Sequence, residues 1–257
     1  ATDIYGSKGA NGVILITTKH GKAGKINITA KGETSYNTRT ITPKFVDAYN
    51  YATLLNEARI TRNLAPQYQP EELALIKSGL DPDFYPNVDW TNLLLKDGAM
   101  SYRADINLNG GGNTARYFAS LAYVEDQGMY NTDETLRKKY NTNANYKRWN
   151  YRMNLDIDIT PTTILKLGIS GNLNKRNSPG LGDQYVWGEL FGFNALSSPV
   201  RYSNGYIPSY GRNTYQMNPW VSATQTGYNQ EWNNNIQTNI TIEQQLDFLT
   251  KGLTFTG

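Results

Sequence analysis

The chain contains no cysteine and a single histidine, His20, among its 257 residues. A disulfide framework and a thiolate metal site are therefore excluded. A histidine-rich metal cage is excluded too, and a Ser-His-Asp triad would have to pass through His20. Charged residues are 18% and the apolar set 39%, both low for a soluble domain. Lys and Arg number 25 against 22 Asp and Glu, and the resulting +3 is too small a charge to attract nucleic acid. No window of roughly 18 residues is continuously apolar, so no transmembrane helix is encoded. A mean hydropathy of −0.59 also argues against a lipid-exposed helical protein. It leaves a β-barrel open, because only alternate side chains of a barrel strand meet lipid. The opening Ala1-Thr2-Asp3 has neither a basic n-region nor an apolar h-region, so no signal peptide is expected there. What is abundant is 19 Tyr, 5 Trp, 23 Gly and 29 Asn.

The first apolar run, Gly12 to Lys19, is short, continuous and β-branched, which predicts a strand covered on both faces. A Gly/Lys linker follows at 20–25. From Lys25 to about Tyr36, Ile26, Ile28 and Ala30 alternate with Asn27, Thr29 and Lys31. Residues 37–100 change character. Asp47 to Asn63 carries Tyr51, Leu54, Leu55, Ala58 and Ile60 at roughly helical spacing, with Asp47 as N-cap. Pro70-Glu71-Glu72-Leu73 opens a second short helix, and the two prolines in Asp81–Trp90 predict an irregular loop.

After residue 100 the period becomes two. Tyr102, Ala104, Ile106 and Leu108 alternate with Arg103, Asp105, Asn107 and Asn109; a Gly110-Gly111-Gly112-Asn113 turn follows. The same pattern returns over Ala115–Glu125, Tyr151–Ile159, Leu165–Asn174 and Asn235–Phe248, and Leu253 starts a further strand. A short helix is expected around Gln184–Leu196. Connections alternate in length: long at 37–100, 126–147 and 176–231, short at 110–114, 160–162 and 249–252. A soluble sandwich has no reason to gather its long loops at one end, whereas a transmembrane barrel has short periplasmic turns and long extracellular loops. The strands also reach the roughly 9–11 residues that a tilted strand needs to cross a bilayer. The expected fold is all-β: part of an antiparallel transmembrane β-barrel, about six to seven strands, with long helix-containing extracellular loops.

The run Ile4-Tyr5-Gly6-Ser7-Lys8-Gly9-Ala10-Asn11-Gly12-Val13-Ile14-Leu15-Ile16-Thr17-Thr18-Lys19 resembles the end of the plug domain in SusC/RagA-type TonB-dependent outer-membrane transporters. Lys8 departs from that family's usual Arg. Val46-Asp47-Ala48-Tyr49, Asn56-Glu57-Ala58, Asp81-Pro82 and Tyr85-Pro86-Asn87-Val88-Asp89-Trp90 resemble the family's first large loop. Asn109-Gly110-Gly111-Gly112, Arg116-Tyr117-Phe118 and Asn154-Leu155-Asp156 resemble its early barrel strands, and Asn218-Pro219-Trp220 a third-loop feature. The resemblance divides the chain into the plug's last strand and linker over 1–24 and the first part of the barrel over 25–257. It implies a piece of a larger architecture of about 22 strands. It also implies import of oligosaccharides or peptides across the outer membrane of a Bacteroidota-type Gram-negative bacterium. The implied partners are a SusD-like surface lipoprotein, outer-membrane lipid, and TonB-ExbB-ExbD acting through a further N-terminal region. No catalytic residue, metal or cofactor is expected, and no enzyme. The alternative is a soluble or surface-exposed β-rich carbohydrate-binding module.

Other constellations carry less. Gly6, Gly9 and Gly12 could cradle a phosphate only before a helix, and a strand is expected to follow. Asp81, Asp83, Asn87 and Asp89 are oxygen ligands without EF-hand spacing, better explained by turns and caps. Asp156 and Asp158 share one face, where Arg152 and Lys166 are the expected charge partners. His20 reads as an exposed linker residue. The loops are dense in aromatics, and Trp90, Trp187, Tyr206, Tyr210 and Trp220 are the candidates for stacking on a sugar or meeting a partner. An isolated piece would expose an apolar sheet face and two unpaired edges, so poor solubility without detergent is expected.

Overall fold

The computed structural model describes residue 6 and residues 18–137, 139–212 and 215–257. The strand expected over 12–19 and the spaced glycines at 9 and 12 lie, but for Thr18 and Lys19, outside the described residues. Seven strands form one sheet in sequence order, every neighbour antiparallel. They are β1 (Gly24–Thr38), β2 (Gly98–Gly111), β3 (Ala115–Asp126), β4 (Tyr146–Thr160), β5 (Thr163–Pro179), β6 (Tyr228–Gln245) and β7 (Thr254–Thr256). The period-two segments are the cores of these strands, most of which run a few residues beyond the alternation, but the alternation read as far as Phe248 overshoots β6, which ends at Gln245 before a turn. The turn after β2 is tight because Gly111 sits at φ +155°, where an added Cβ would stand 2.4 Å from the Ala115 carbonyl oxygen.

Register sorts the side chains into two continuous faces. Ile28 pairs with Leu108, Ile106 with Leu121, Leu121 with Tyr151, Leu155 with Leu167, and Leu167 with Ile240. This apolar face is uncovered: Ile28 is 61% exposed and Ile240 65%. Moving one such isoleucine from water into hydrocarbon is worth about 1.5–3 kcal/mol. Tyr102, Tyr123, Trp149 and Trp232 lie on the same face toward the long-loop end. There the Lys175 ammonium stands 4.6 Å from the Trp232 ring centroid, and the Tyr123 and Trp149 rings are 5.3 Å apart. Aromatic rings with snorkelling lysines at one level are the girdle of a membrane strand.

The long connections hold six helices among the described residues: α1 (Ala48–Ile60), α2 (Pro70–Ser78), α3 (Trp90–Leu94), α4 (Glu134–Arg137), α5 (Asp183–Gly192) and α6 (Pro219–Thr224). Asp47 caps α1 by accepting from the Asn50 amide at 2.8 Å. The buried face of α1 is not the large-residue stripe read from the sequence. Ala48, Ala52 and Asn56 are buried, while Leu54 and Ile60 are exposed. Small alanines let the helix approach α2 closely, and Asn56 satisfies the Gln67 and Tyr68 amides. The irregular loop expected over Asp81–Trp90 is present as far as Asp89, and a short helix begins at Trp90. Asp89 caps α3 by accepting from the Asn92 amide at 3.0 Å. Asn218 caps α6 in the same manner, with Pro219 at its first position.

The hydrophobic core lies in these loops, not under the sheet. Trp90, Leu94, Leu95, Tyr130, Val186, Leu190, Phe193 and Ala223 form one buried cluster that draws on all three long connections. A second cluster joins Ala48, Ala52, Ile76 and Tyr85 to Ala195 and Leu196. Backbone bonds cross between the loops as well, from Val88 to Ala195 at 3.2 Å and from Asn131 to Leu94 at 2.7 Å.

Candidate functional site

The second face of the sheet is polar from β1 to β6. Lys31 pairs across the ladder with Asp105, Glu33 with Arg103, Ser120 with Arg152, Asn150 with Asn172, and Asn172 with Asn235. Here Arg148, Arg152, Asn107, Asn172 and Gln237 line a concavity of about 600 Å³, with Thr18 and Lys19 at its side. Charge is mostly paired in place. The Arg116 guanidinium donates to both Asp158 oxygens at 2.6 and 2.7 Å, and Lys166 is ion-paired to Glu243. The partners read from the sequence were therefore the wrong ones. Lys166 faces Asp156 across β4–β5 but reaches Glu243 on β6, and Arg152 binds neither aspartate in the described structure.

Asp156 holds His20 instead. The histidine Nδ1 donates toward Asp156 at 3.0 Å, with the second oxygen at 3.1 Å. His20 is exposed, as read from the sequence, and its ring also tethers the linker to the sheet. Asn154 Nδ2 donates to the Lys19 carbonyl at 2.6 Å, and Asn109 Oδ1 accepts from the Lys22 amide at 3.0 Å. Gly21 presses on the β3 backbone so closely that a Cβ would stand 2.2 Å from the Tyr117 nitrogen. Residues 18–22 therefore run along the polar face, held by β2, β3 and β4. No local signal could have revealed a contact between residues 136 apart in the chain.

The five aromatic candidates separate at the loop end. Trp90 is buried, donates its Nε1 proton to the Asn194 carbonyl at 3.2 Å, and meets Phe193 edge-on at 5.2 Å. Trp187 stacks on Phe191 at 5.5 Å, and Trp187 and Trp220 both pack against the loop cluster. Tyr206 and Tyr210 are exposed and are not members of that cluster. The acidic loop spends its oxygens one by one. Asp81 accepts from the Phe84 amide, Asp83 from the Ser203 amide and hydroxyl, and Asn87 from the Ala48 amide. Burial pushes the Tyr130 phenol well above its ordinary range, and the Asp183 carboxylate adds to it. Asp133 moves the other way: hydrogen bonds from Thr135, then Gln225, hold its carboxyl below the usual range against a smaller opposing effect of burial.

A sheet with one lipid-suited face, one polar face and a helical cap of loops at one end is a section of outer-membrane β-barrel wall. No protein-family model matches the chain. Among curated proteins it is 31% identical over 172 residues to TonB-dependent receptor P26 of Formosa agariphila, covering 66% of this chain and 15% of that protein. It is 26% identical over 236 residues to TonB-dependent receptor P3 of the same organism, covering 88% and 20%. It is 29% identical over 138 residues to TonB-dependent receptor SusC of Bacteroides thetaiotaomicron, covering 53% and 12%. The chain thus spans between 12% and 20% of the length of these relatives. Its fold matches the RagAB peptide transporter with a TM-score of 0.62 at 19% identity, over 98% of this chain and 30% of that one. The RagAB peptide importer in its open-open state gives 0.54 at 20%, over 95% and 30%. By these matches the chain is similar to a segment of the SusC/RagA-type TonB-dependent transporters.

Proposed function

We propose that this chain is the first part of the barrel wall of an outer-membrane importer, preceded over residues 1–24 by the end of its plug. The importer takes up oligosaccharides or peptides together with a SusD-like lipoprotein and is energised through TonB-ExbB-ExbD. The observation that supports this most is the two-faced sheet. Its apolar face is uncovered and girdled by aromatics, while its polar face holds residues 18–22 by side-chain hydrogen bonds. Those bonds suit a linker that must stay against the wall while the plug beyond it moves. The loop cluster suits a rigid outer rim on which a lipoprotein lid could rest, and Tyr206 and Tyr210 are its free aromatics for substrate or lid. A soluble carbohydrate-binding module would bury an apolar sheet face as its core, and no described residue covers this one.

Fractionation and uptake test the reading. The tagged full-length protein should sediment with the outer membrane and co-purify with a lipoprotein. Its deletion should abolish uptake of either a labelled maltooligosaccharide or a labelled peptide mixture, and so should collapse of the inner-membrane proton gradient. Recovery in the soluble fraction, with both uptakes unchanged, would contradict it.

A further inference from the structure

We infer that a cleft between the chain leaving β1 and helix α3 binds a carboxylate attached to an apolar group, with Arg39 as its cation. The Arg39 side chain is 16% exposed, and its Nε and Nη1 are buried with no hydrogen-bond partner among the described residues. Its nearest anion, Asp97, stands 3.5 Å from Nη2 and is itself 94% exposed, hence hydrated and a weak partner. Thr91 is 8% exposed, and its Oγ1 is also buried without a partner among the described residues. Arg39 and Thr91 line one cleft of about 380 Å³, together with Lys44, Phe45 and Asn92. Asp89 shares the cleft, but both of its oxygens already accept from Asn92. The cleft therefore has hydrogen-bond donors to spare. A buried guanidinium left so is costly unless an anion meets it.

The shape supplies the second half of the ligand. Phe45 and Asp89 also border an adjoining cavity of about 200 Å³, whose other walls include Val88, Leu190 and Phe193. A ligand carboxylate at Arg39 would place an attached apolar group there. The C-terminal residue of a peptide has this chemistry, and so does a short fatty acid. The inference rests on the importer reading for its biological role. It does not rest on it for binding, so saturable binding by a protein whose deletion leaves both uptakes unchanged would count against the importer reading alone.

Calorimetric titration of the full-length protein in detergent tests it, with N-acetylphenylalanine, its amide, hexanoate and acetate as probes. Saturable binding of N-acetylphenylalanine is expected, at least about tenfold weaker for the amide, since a charge-assisted hydrogen bond is lost. Arg39→Gln should weaken the acid by a similar factor. Thr91→Val, which keeps the side-chain shape, should weaken it several-fold and provides the test if Arg39→Gln fails to fold. Acetate should bind less tightly than either larger acid. Tighter binding of N-acetylphenylalanine than of hexanoate assigns a peptide terminus; the reverse assigns a fatty acid. Equal binding of acid and amide, parent-like binding by the variants, or no saturable binding of any acid would overturn the proposal.

Discussion

Leu94 is fully buried at the centre of the cluster that joins the three long loops. Its neighbours come from different connections: Tyr130 from the second, and Val186, Leu190, Phe193 and Ala223 from the third. Leu94→Ala removes three carbons from this site and leaves a cavity, at a cost of about 2–5 kcal/mol. The sheet ladder does not pass through the cluster, so the loss should fall on the loops alone. Amide exchange of the full-length protein in detergent reads this directly. At roughly 1.4 kcal/mol per decade, protected amides in α3, α5 and α6 should exchange between about 30-fold and a few thousandfold faster. Those of β2 to β5 should not change. Acceleration confined to α3 would show that the loops are stabilised independently, and the single-cap description would be wrong.

Gly21→Val should lift the linker from β3, because its Cβ would meet backbone rather than a movable side chain. In a chain free of native cysteine, paired His20→Cys and Asp156→Cys substitutions should be bridged by a short bifunctional thiol reagent in the parent and lose that cross-link with Gly21→Val. Undiminished cross-linking would refute the close contact. Asp133 accepts from the Thr135 amide within the second long loop and from the Gln225 side chain of the third, which ties the two loops together. Its carboxyl is held below the usual range, so this stabilisation is complete above that range and disappears as pH falls through the lowered value. Exchange protection at Thr135, corrected for intrinsic rates, should therefore drop only below about pH 4, and Asp133→Asn should remove the pH dependence. Protection that rises on acidification would reverse the sign.

The sheet was legible because a two-residue period writes each strand and both faces into one line of sequence. The apolar positions Ile28, Ile106, Leu121 and Ile240 read from alternation do share one face. The cap at Asp47 and the helix start at Pro70 were legible for the same local reason. Helices α3 and α6 were missed although Asp89 and Asn218 are good caps. Five and six residues are too few to show a period, and burial of Trp90, Leu94 and Ala223 stabilises them. The His20–Asp156 tether and the cleft around Arg39, whose Nε and Nη1 have no hydrogen-bond partner among the described residues, depend on residues brought together only by the folded sheet and loops. A composition scan sees them as one linker histidine and one of many arginines.

The central claim is that one face of this sheet meets lipid and the other a wet lumen. The absence of native cysteine makes the test clean. Single cysteines at Ile28, Ile106, Leu121 and Ile240, and at Asn107, Arg152 and Gln237, would be labelled with a fluorophore in the full-length protein reconstituted with nitroxide-bearing lipids. The account predicts strong quenching at the first four and weak quenching at the last three, which should instead react with a membrane-impermeant thiol reagent. Equal quenching on both faces, or impermeant labelling of the isoleucine positions, would contradict it.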